Sequence, residues 1–449
     1  MRGLLAGAAL LALAACSRGQ TLPPEAGEGP NPKLPEPHYQ LLAPIKLSPP
    51  LGWHNGRTPQ PASGLAVNAF ATGLEHPRWL LALPNGDVLV AETDGGGEVK
   101  KRPKDFVMGW AMAKVHAEQP RNDRISLLRD GDGDGVAETR TTFIPGLNSA
   151  FGMALVGDTL YVANTDAVLR FPYRDGVTAI PRSAGVEVAK LPAGPINHHW
   201  TKSLVASRDG SRLYVGVGAN SNVAENGMNN EVHRAAILEV DPATGAVREF
   251  ATGIRNPVGM DWEPTTGALW AVVNERDELG DDLPPDYLTS VRPGGFYGWP
   301  YSYWGQNVDK RAYPPRPDLV ARAIRPDYGL GSHGGQLGLT FATGAALGAR
   351  FASGAFIGQH GSWNRSRRNG YRVIFVPFAN GKPAGMPVAV LTGFLAPSGN
   401  SYGRPVGVAI DKRGALLVAD DAGNTVWRVT LARGSSPLGA QPAASRAAR

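Results

Sequence analysis

A six-bladed β-propeller is the fold class that this 449-residue sequence predicts. The first observation is a phrase repeated six times between residues 74 and 429: a Gly-containing turn, then a short apolar strand ending in small or polar residues. The strand cores read GDVLVAET, GDTLYVANT, SRLYVGVG, GALWAVVN, GAFIGQH and GALLVADD, starting at residues 86, 157, 211, 267, 354 and 414. The second observation is a partner strand in front of most of them: WLLALPNG, SLVASRDG, GMDWEPTTG and GVAIDKRG. Alternating apolar residues around Asn-Gly or Asp-Gly turns mark a β-hairpin. The third is spacing. It leaves room for about four strands per unit, the size of a propeller blade, and no intervening stretch sustains a helical period. A large β-sandwich does not reuse one hairpin six times.

The elements follow in order along the chain. Arg2 supplies a positive start, Leu4 to Leu13 an apolar run, and Leu13-Ala14-Ala15-Cys16 a small-residue cleavage site ending in cysteine. This pattern resembles a bacterial lipoprotein signal. It implies a signal peptide over 1–15, lipidation at Cys16 and attachment to the periplasmic face of a membrane, the outer one because Ser17 is not aspartate. Cys16 is the only cysteine, so no intramolecular disulfide can form. Residues 16–65 are rich in Pro, Gly and small polar residues and read as an extended linker. The propeller is expected over 66–431 and a disordered tail over 432–449. The formal charge of +6 is modest, and no basic stripe is interleaved with aromatics, which excludes a nucleic-acid reading. Such a surface suits anionic lipid headgroups or an acidic redox partner, or simply solubility.

Polar residues recur just before the first strand of several hairpins: His76-Pro77-Arg78, His198-His199-Trp200, Arg255-Asn256-Pro257, His333 and Arg404-Pro405. In a propeller these positions converge on one mouth of the central channel, which is what a binding or catalytic site requires. Separately, Asp130, Asp132 and Asp134 alternate with glycines and are followed by Glu138, the start of an EF-hand-like calcium loop. Thr141 occupies the twelfth position, so Glu138 or water must complete the shell. A plain Gly/Asp turn is the alternative.

Five segments carry a resemblance to a known family: GPINHHWTKSLVASRDGSRLYVGVGANSN, GIRNPVGMDWEPTTGALWAVVNERDELGDDLPPD, GGFYGWP, HGSWNRSRRNGYRV and GRPVGVAIDKRGALLVADD. They resemble the pyrroloquinoline quinone (PQQ)-dependent sugar dehydrogenases, nearer to the sorbosone dehydrogenase branch than to soluble glucose dehydrogenase. The likeness spans about residues 70 to 430. It implies a PQQ enzyme that oxidises an aldose or related sugar by hydride transfer to the quinone. His199, five residues before Leu204, falls at the family's general base, with His198 one residue away as the alternative. An imidazole suits that task because its pKa of ~6.5 lies near working pH. Arg255 falls where the family polarises the quinone oxygens. Asn256, Asn274 and Arg404 fall at cofactor contacts, and His360 or Arg365 stands for a cofactor-binding lysine. The main-chain carbonyls of Glu275 and Arg276 fall at a calcium ion that bridges to PQQ.

One departure stands out. Where soluble glucose dehydrogenase has an aspartate supporting its base, this chain reads Gly218-Ala219-Asn220, which makes Asn220 the candidate orienting partner for His199. With a single cysteine there is no haem-attachment motif, so electrons must leave to a separate cytochrome or quinone. Two other readings compete: a calcium-dependent propeller lactonase or related hydrolase, and a surface-binding propeller without catalysis. A lactonase collects acidic side chains around a channel metal, whereas His, Arg and Asn predominate here.

Overall fold

A computed structural model describes residues 21–40, 44–93, 95 and 123–434. The signal segment, Cys16 and most of the C-terminal tail lie outside the described residues. Six antiparallel sheets form the blades. Blade 1 runs from Pro77–Ala82 to Thr139–Ile144, blade 2 from Met153–Val156 to Val186–Lys190, and blade 3 from Lys202–Ala206 to Val247–Thr252. Blade 4 runs from Pro257–Trp262 to Tyr328–Ser332, and blade 5 from Gln336–Phe341 to Val388–Thr392. Blade 6 takes Pro405–Ile410, Leu416–Asp420 and Thr425–Leu431 from the end of the chain, and its outer strand, Leu65–Ala71, from near the beginning. The pairing Leu65↔Leu431 and Val67↔Val429 closes the ring by joining the two ends of the propeller in one blade.

All six repeated strand cores become the second strand of a blade. In blades 1, 3, 4, 5 and 6 these strands are buried along their whole length. Neighbouring blades cover both faces, so the segments are apolar throughout rather than alternating. The first strand of each blade lines the channel, and small residues there let neighbours approach. A Cβ on Gly259 would lie 2.6 Å from the Leu339 amide nitrogen, and one on Gly338 would lie 2.3 Å from the Val406 carbonyl oxygen. The channel is therefore pinched at its waist. Its far mouth is a cavity of about 610 Å³ walled by all six inner strands.

The linker expectation for 16–65 needs correction over its described part. Glu28–Gly29 adds a strand to the edge of blade 4, and Gln60–Pro61 adds one to blade 5. Ser48 is fully buried, and Trp53 packs edge-on against Phe394 and Trp427 while its Nε1 donates to Asp420 at 2.6 Å. A Pro-rich segment cannot fold alone, but it can hydrogen-bond along sheet edges that already exist. Here it forms a belt around blades 4, 5 and 6. Between the third and fourth strands of blade 4 lies an insertion, 291–327, that carries the GGFYGWP segment. Its Gly295–Phe296 pairs in parallel with the edge of blade 3.

Candidate active site at the channel mouth

In the antiparallel inner hairpins, Pro77 faces Glu92, Lys202 faces Val217, Pro257 faces Val273, Gln336 faces Gln359 and Pro405 faces Asp420. Residues just before the first strand and just after the second therefore meet at one mouth. The blade-start residues identified from sequence gather there. So does a second ring: Asn274 and His360, which the family resemblance implied, with Thr93, Asn164, Gly218 and Asp421, which the sequence had not marked as site residues. The repeat itself contained that signal, since each of these residues follows a repeated core strand directly.

On the blade 3 side, His199 is half-buried and His198 exposed, their rings edge-on at 4.6 Å. His199 Nδ1 lies 2.6 Å from the Ala219 carbonyl oxygen. A carbonyl only accepts, so Nδ1 carries the proton and Nε2 keeps its lone pair. Nε2 has no partner among the described residues. Burial, then the charges of His198 and Arg255, hold the imidazole well below its usual pKa. The orienting partner is thus Ala219's backbone and not the Asn220 side chain, whose Oδ1 accepts from the His198 amide at 3.2 Å. Gly218 is glycine because a Cβ there would lie 2.3 Å from Asn256 Oδ1 and 2.6 Å from His199 Cβ. The Oδ1 of Asn256 is itself buried without a hydrogen-bond partner.

Arg255 is 3% exposed. Its guanidinium donates to the Glu275 carbonyl at 2.5 Å, to Asn222 Oδ1 at 3.1 Å and to Asp277 Oδ2 at 3.1 Å. Asn222 is fixed from behind by Trp299 of GGFYGWP, whose Nε1 donates to its carbonyl at 2.8 Å. Asp277, which sequence reasoning passed over inside an acidic loop, also accepts from Asn364 at 2.6 Å and faces His333 at 3.6 Å. Burial opposes its ionisation, yet Arg255 and His333 hold its carboxyl well below the usual range. Behind this pair, burial pushes Glu275 up to about 7 and Asp286 up to about 6.

The other expected residues divide. Asn274 donates to the Gln336 carbonyl at 2.9 Å and accepts from its amide at 2.7 Å, so both ends of its side chain stitch blade 4 to blade 5. The Arg276 side chain turns away to a buried ion pair with Asp309. Arg365 likewise points into the 281–282 loop, pairing with Asp282 and donating to the Asp281 carbonyl at 2.8 Å. Of the two alternatives in blade 5, only His360 reaches the mouth. Its Nε2 sits 2.9 Å from Asp421, which also receives Arg78 at 2.6 Å and faces His76 at 3.6 Å. Burial lowers the pKa of His360 to about 4, with Arg404 and Arg78 adding to the effect against the pull of Asp421. Arg404 is buried over the Tyr371 ring, and among the described residues its guanidinium donates once, to the Ser48 carbonyl of the belt at 3.1 Å. On the rim far from this mouth, Asp130, Asp132, Asp134 and Glu138 bring carboxylate oxygens within 4.8 Å of one another. Arg413 reaches the same loop, 3.4 Å from Asp130.

A closed six-bladed propeller with a mouth of buried arginines, a neutral histidine and an unpaired amide defines the class. The chain belongs to the TrAA12-like family, whose sequence pattern matches residues 59–290 and 320–432. A pyrroloquinoline quinone-dependent sugar dehydrogenase of Hypocrea jecorina is 23% identical over 277 residues, covering 55% of this chain and 58% of the relative. The chain spans about three fifths of the length of the curated relatives it matches. Among solved structures, the calcium structure of Trichoderma reesei carbohydrate-active enzymes family AA12 superposes with a TM-score of 0.67 at 20% identity, over 88% of this chain and 99% of that one. The holo form of the pyranose dehydrogenase PQQ domain from Coprinopsis cinerea gives 0.65 at 19% identity, over 86% and 100%. These likenesses establish the propeller fold.

Proposed function

We propose that this protein is a PQQ-dependent dehydrogenase of an aldose or a related, sorbosone-like sugar. The observation that carries the reading is the pairing of a neutral His199, with Nε2 open to the mouth, and the buried, unpartnered amide oxygen of Asn256 beside it. A buried polar atom without a partner costs roughly 1–3 kcal/mol, so a site that keeps one is built for a group that arrives later. The donor set fits a planar tricarboxylate quinone. Arg404 supplies a guanidinium for a carboxylate, Arg255 a fixed positive charge for quinone oxygens, and Asn256 an amide for orientation. Neutral His360 serves as a hydrogen-bonding rather than a charged contact.

PQQ, when bound, supplies the ortho-quinone that accepts hydride from the sugar carbon. His199 takes the hydroxyl proton at Nε2, and the Ala219 carbonyl stabilises the imidazolium through Nδ1–H. Arg255 is held by Asn222, Glu275 and Asp277 before any ligand arrives, so its charge needs no reorganisation as negative charge develops. Asp277 and Asp421 are each engaged by cationic partners, which sets this mouth apart from the acidic channel of a lactonase.

Calcium fits the 130–138 loop better than the Glu275 carbonyl. The Glu275 carbonyl already accepts a charged donor, which disfavours a second cation on that oxygen. The four carboxylates of the 130–138 loop offer the hard oxygen ligands that calcium prefers. Electrons pass to a separate carrier, and the protein is tethered through lipid at Cys16 on the periplasmic side. The test is titration of purified protein with PQQ and calcium, followed by absorbance and sugar-dependent dye reduction. PQQ binding with reduction by aldoses is expected; no PQQ binding would overturn the enzyme reading.

A further inference from the structure

Arg234 lies at the start of the third strand of blade 3, where no sequence motif marks it, and it is 5% exposed. Its guanidinium makes four hydrogen bonds, all to neutral acceptors. Nε donates to the Gly218 carbonyl at 3.0 Å, Nη1 to the Pro192 carbonyl at 3.0 Å and to Asn197 Oδ1 at 3.3 Å, and Nη2 to the His199 carbonyl at 2.9 Å. Asn197 is itself strained at φ 29° and anchored through Nδ2 to Thr165 Oγ1 at 2.8 Å. No ion pair to Arg234 occurs among the described residues; the carboxylate that acts on it most strongly is Glu231, held by the Asn220 amide at 2.7 Å.

Two of these acceptors bracket the base. One is the carbonyl of His199 itself, and the other is that of Gly218, one residue before the Ala219 oxygen that receives His199 Nδ1–H. Building on the dehydrogenase reading, we propose that Arg234 is the positioning residue of the general base: it sutures the loop carrying His199 to the strand end that orients its ring. A buried cation is expensive to maintain when its acceptors are all neutral. An apolar side chain would fill the same space more cheaply if packing were the only demand. The titratable and charged groups facing His199 are His198, Arg255 and Arg234, with Asp277 opposing them. Arg234 thus adds to the field that keeps the imidazole unprotonated, and its own pKa, lowered to about 10 by burial, leaves it charged at neutral pH.

The test compares Arg234→Gln and Arg234→Lys with wild type. Ring-nitrogen NMR of the apoprotein, labelled at histidine, reads the His199 pKa and tautomer without any cofactor. Turnover after PQQ reconstitution reads kcat and KM. In the Gln variant the His199 pKa should rise, and the acid limb of kcat/KM should move to higher pH. In the Lys variant the charge stays, so the pKa should hold near wild type. The fork geometry is lost, however, and kcat should fall by roughly 10²-fold with KM little changed, the usual penalty for a misplaced group. A folded Gln variant with unchanged His199 pKa and tautomer overturns the proposal. If the Gln variant does not fold, a Lys variant with wild-type kcat overturns it equally. Full activity in His199→Ala would sink the base assignment itself, an outcome distinct from any NMR shift produced by Arg234.

Discussion

Replacing Asp277 with asparagine removes one negative charge from the pocket that holds Arg255. The wild-type carboxylate lies 3.1 Å from Arg255, accepts from Asn364 at 2.6 Å and faces His333 at 3.6 Å. Removing one partner of a buried ion pair costs about 3–5 kcal/mol. The Arg255 side chain is 3% exposed but that of Asp277 is 22% exposed, which places the cost at the lower end, about 3 kcal/mol. Unfolding entropy of ~2.1 cal/mol/K per residue gives roughly 0.8 kcal/mol/K for roughly 380 residues, so Tm should fall by about 4 °C. The pH dependence follows from the two shifts. The Asp277 carboxyl is depressed, so its contribution is present above about pH 3.8 and is lost as pH falls towards the folded value. The His333 pKa is raised against burial by Asp277, so its contribution is present below about pH 6.5 and lost as pH rises through the folded value. The Tm gap between wild type and Asp277→Asn should therefore be widest near pH 5 to 6, within the window those two values set at roughly 3.8 and 6.5. Scanning calorimetry across pH 3 to 8 measures it. A gap below about 1 °C at pH 5, or one that widens in acid, would refute the ion-pair reasoning.

His199→Ala should still bind PQQ but lose turnover by roughly 10²–10⁴-fold, read by stopped-flow reduction with aldoses; loss only in His198→Ala would move the role by one residue. Because the His199 pKa is lowered by burial and its cationic neighbours, the acid limb of wild-type kcat/KM should lie below pH ~6.5. Asp132→Ala together with Asp134→Ala should lower Tm in calcium without altering PQQ chemistry, since a ligand that binds only the native state stabilises it by mass action. A double variant whose Tm still responds to calcium as wild type does would reduce the loop to a turn. Cys16→Ser should move the protein from the membrane fraction to the soluble one, and continued membrane association would refute the lipid anchor.

The blades were legible because each is a local event. Turn chemistry and two-sided burial write the same short apolar phrase six times, and the ring follows from the count. The belt was not legible. Its proline-rich composition describes how it behaves alone, whereas its structure is set by sheet edges hundreds of residues away: Glu28 opposite Leu330, and Gln60 opposite Thr392. The site shows the same division. His199, Arg255, Asn256 and Arg404 stand at repeat-defined positions and do gather at the mouth. Asn274 and Arg365 occupy family-like positions, but their side chains turn to Gln336 and Asp282.

What decided between these outcomes was the partner each side chain found, and a partner distant in sequence leaves no mark on the local string. Asp277 and Arg234 make the point most sharply. In sequence, Asp277 is one acid in the run Glu275-Arg276-Asp277-Glu278, and Arg234 is one base before an ordinary strand. In the fold, the first clamps the arginine at the mouth and the second clamps the backbone on both sides of the histidine. The two groups closest to the proposed chemistry are thus each held by a residue whose role exists only once the blades have closed. Substitutions at Asp277 and Arg234 accordingly test the site more stringently than substitutions at residues that the repeat alone would have selected.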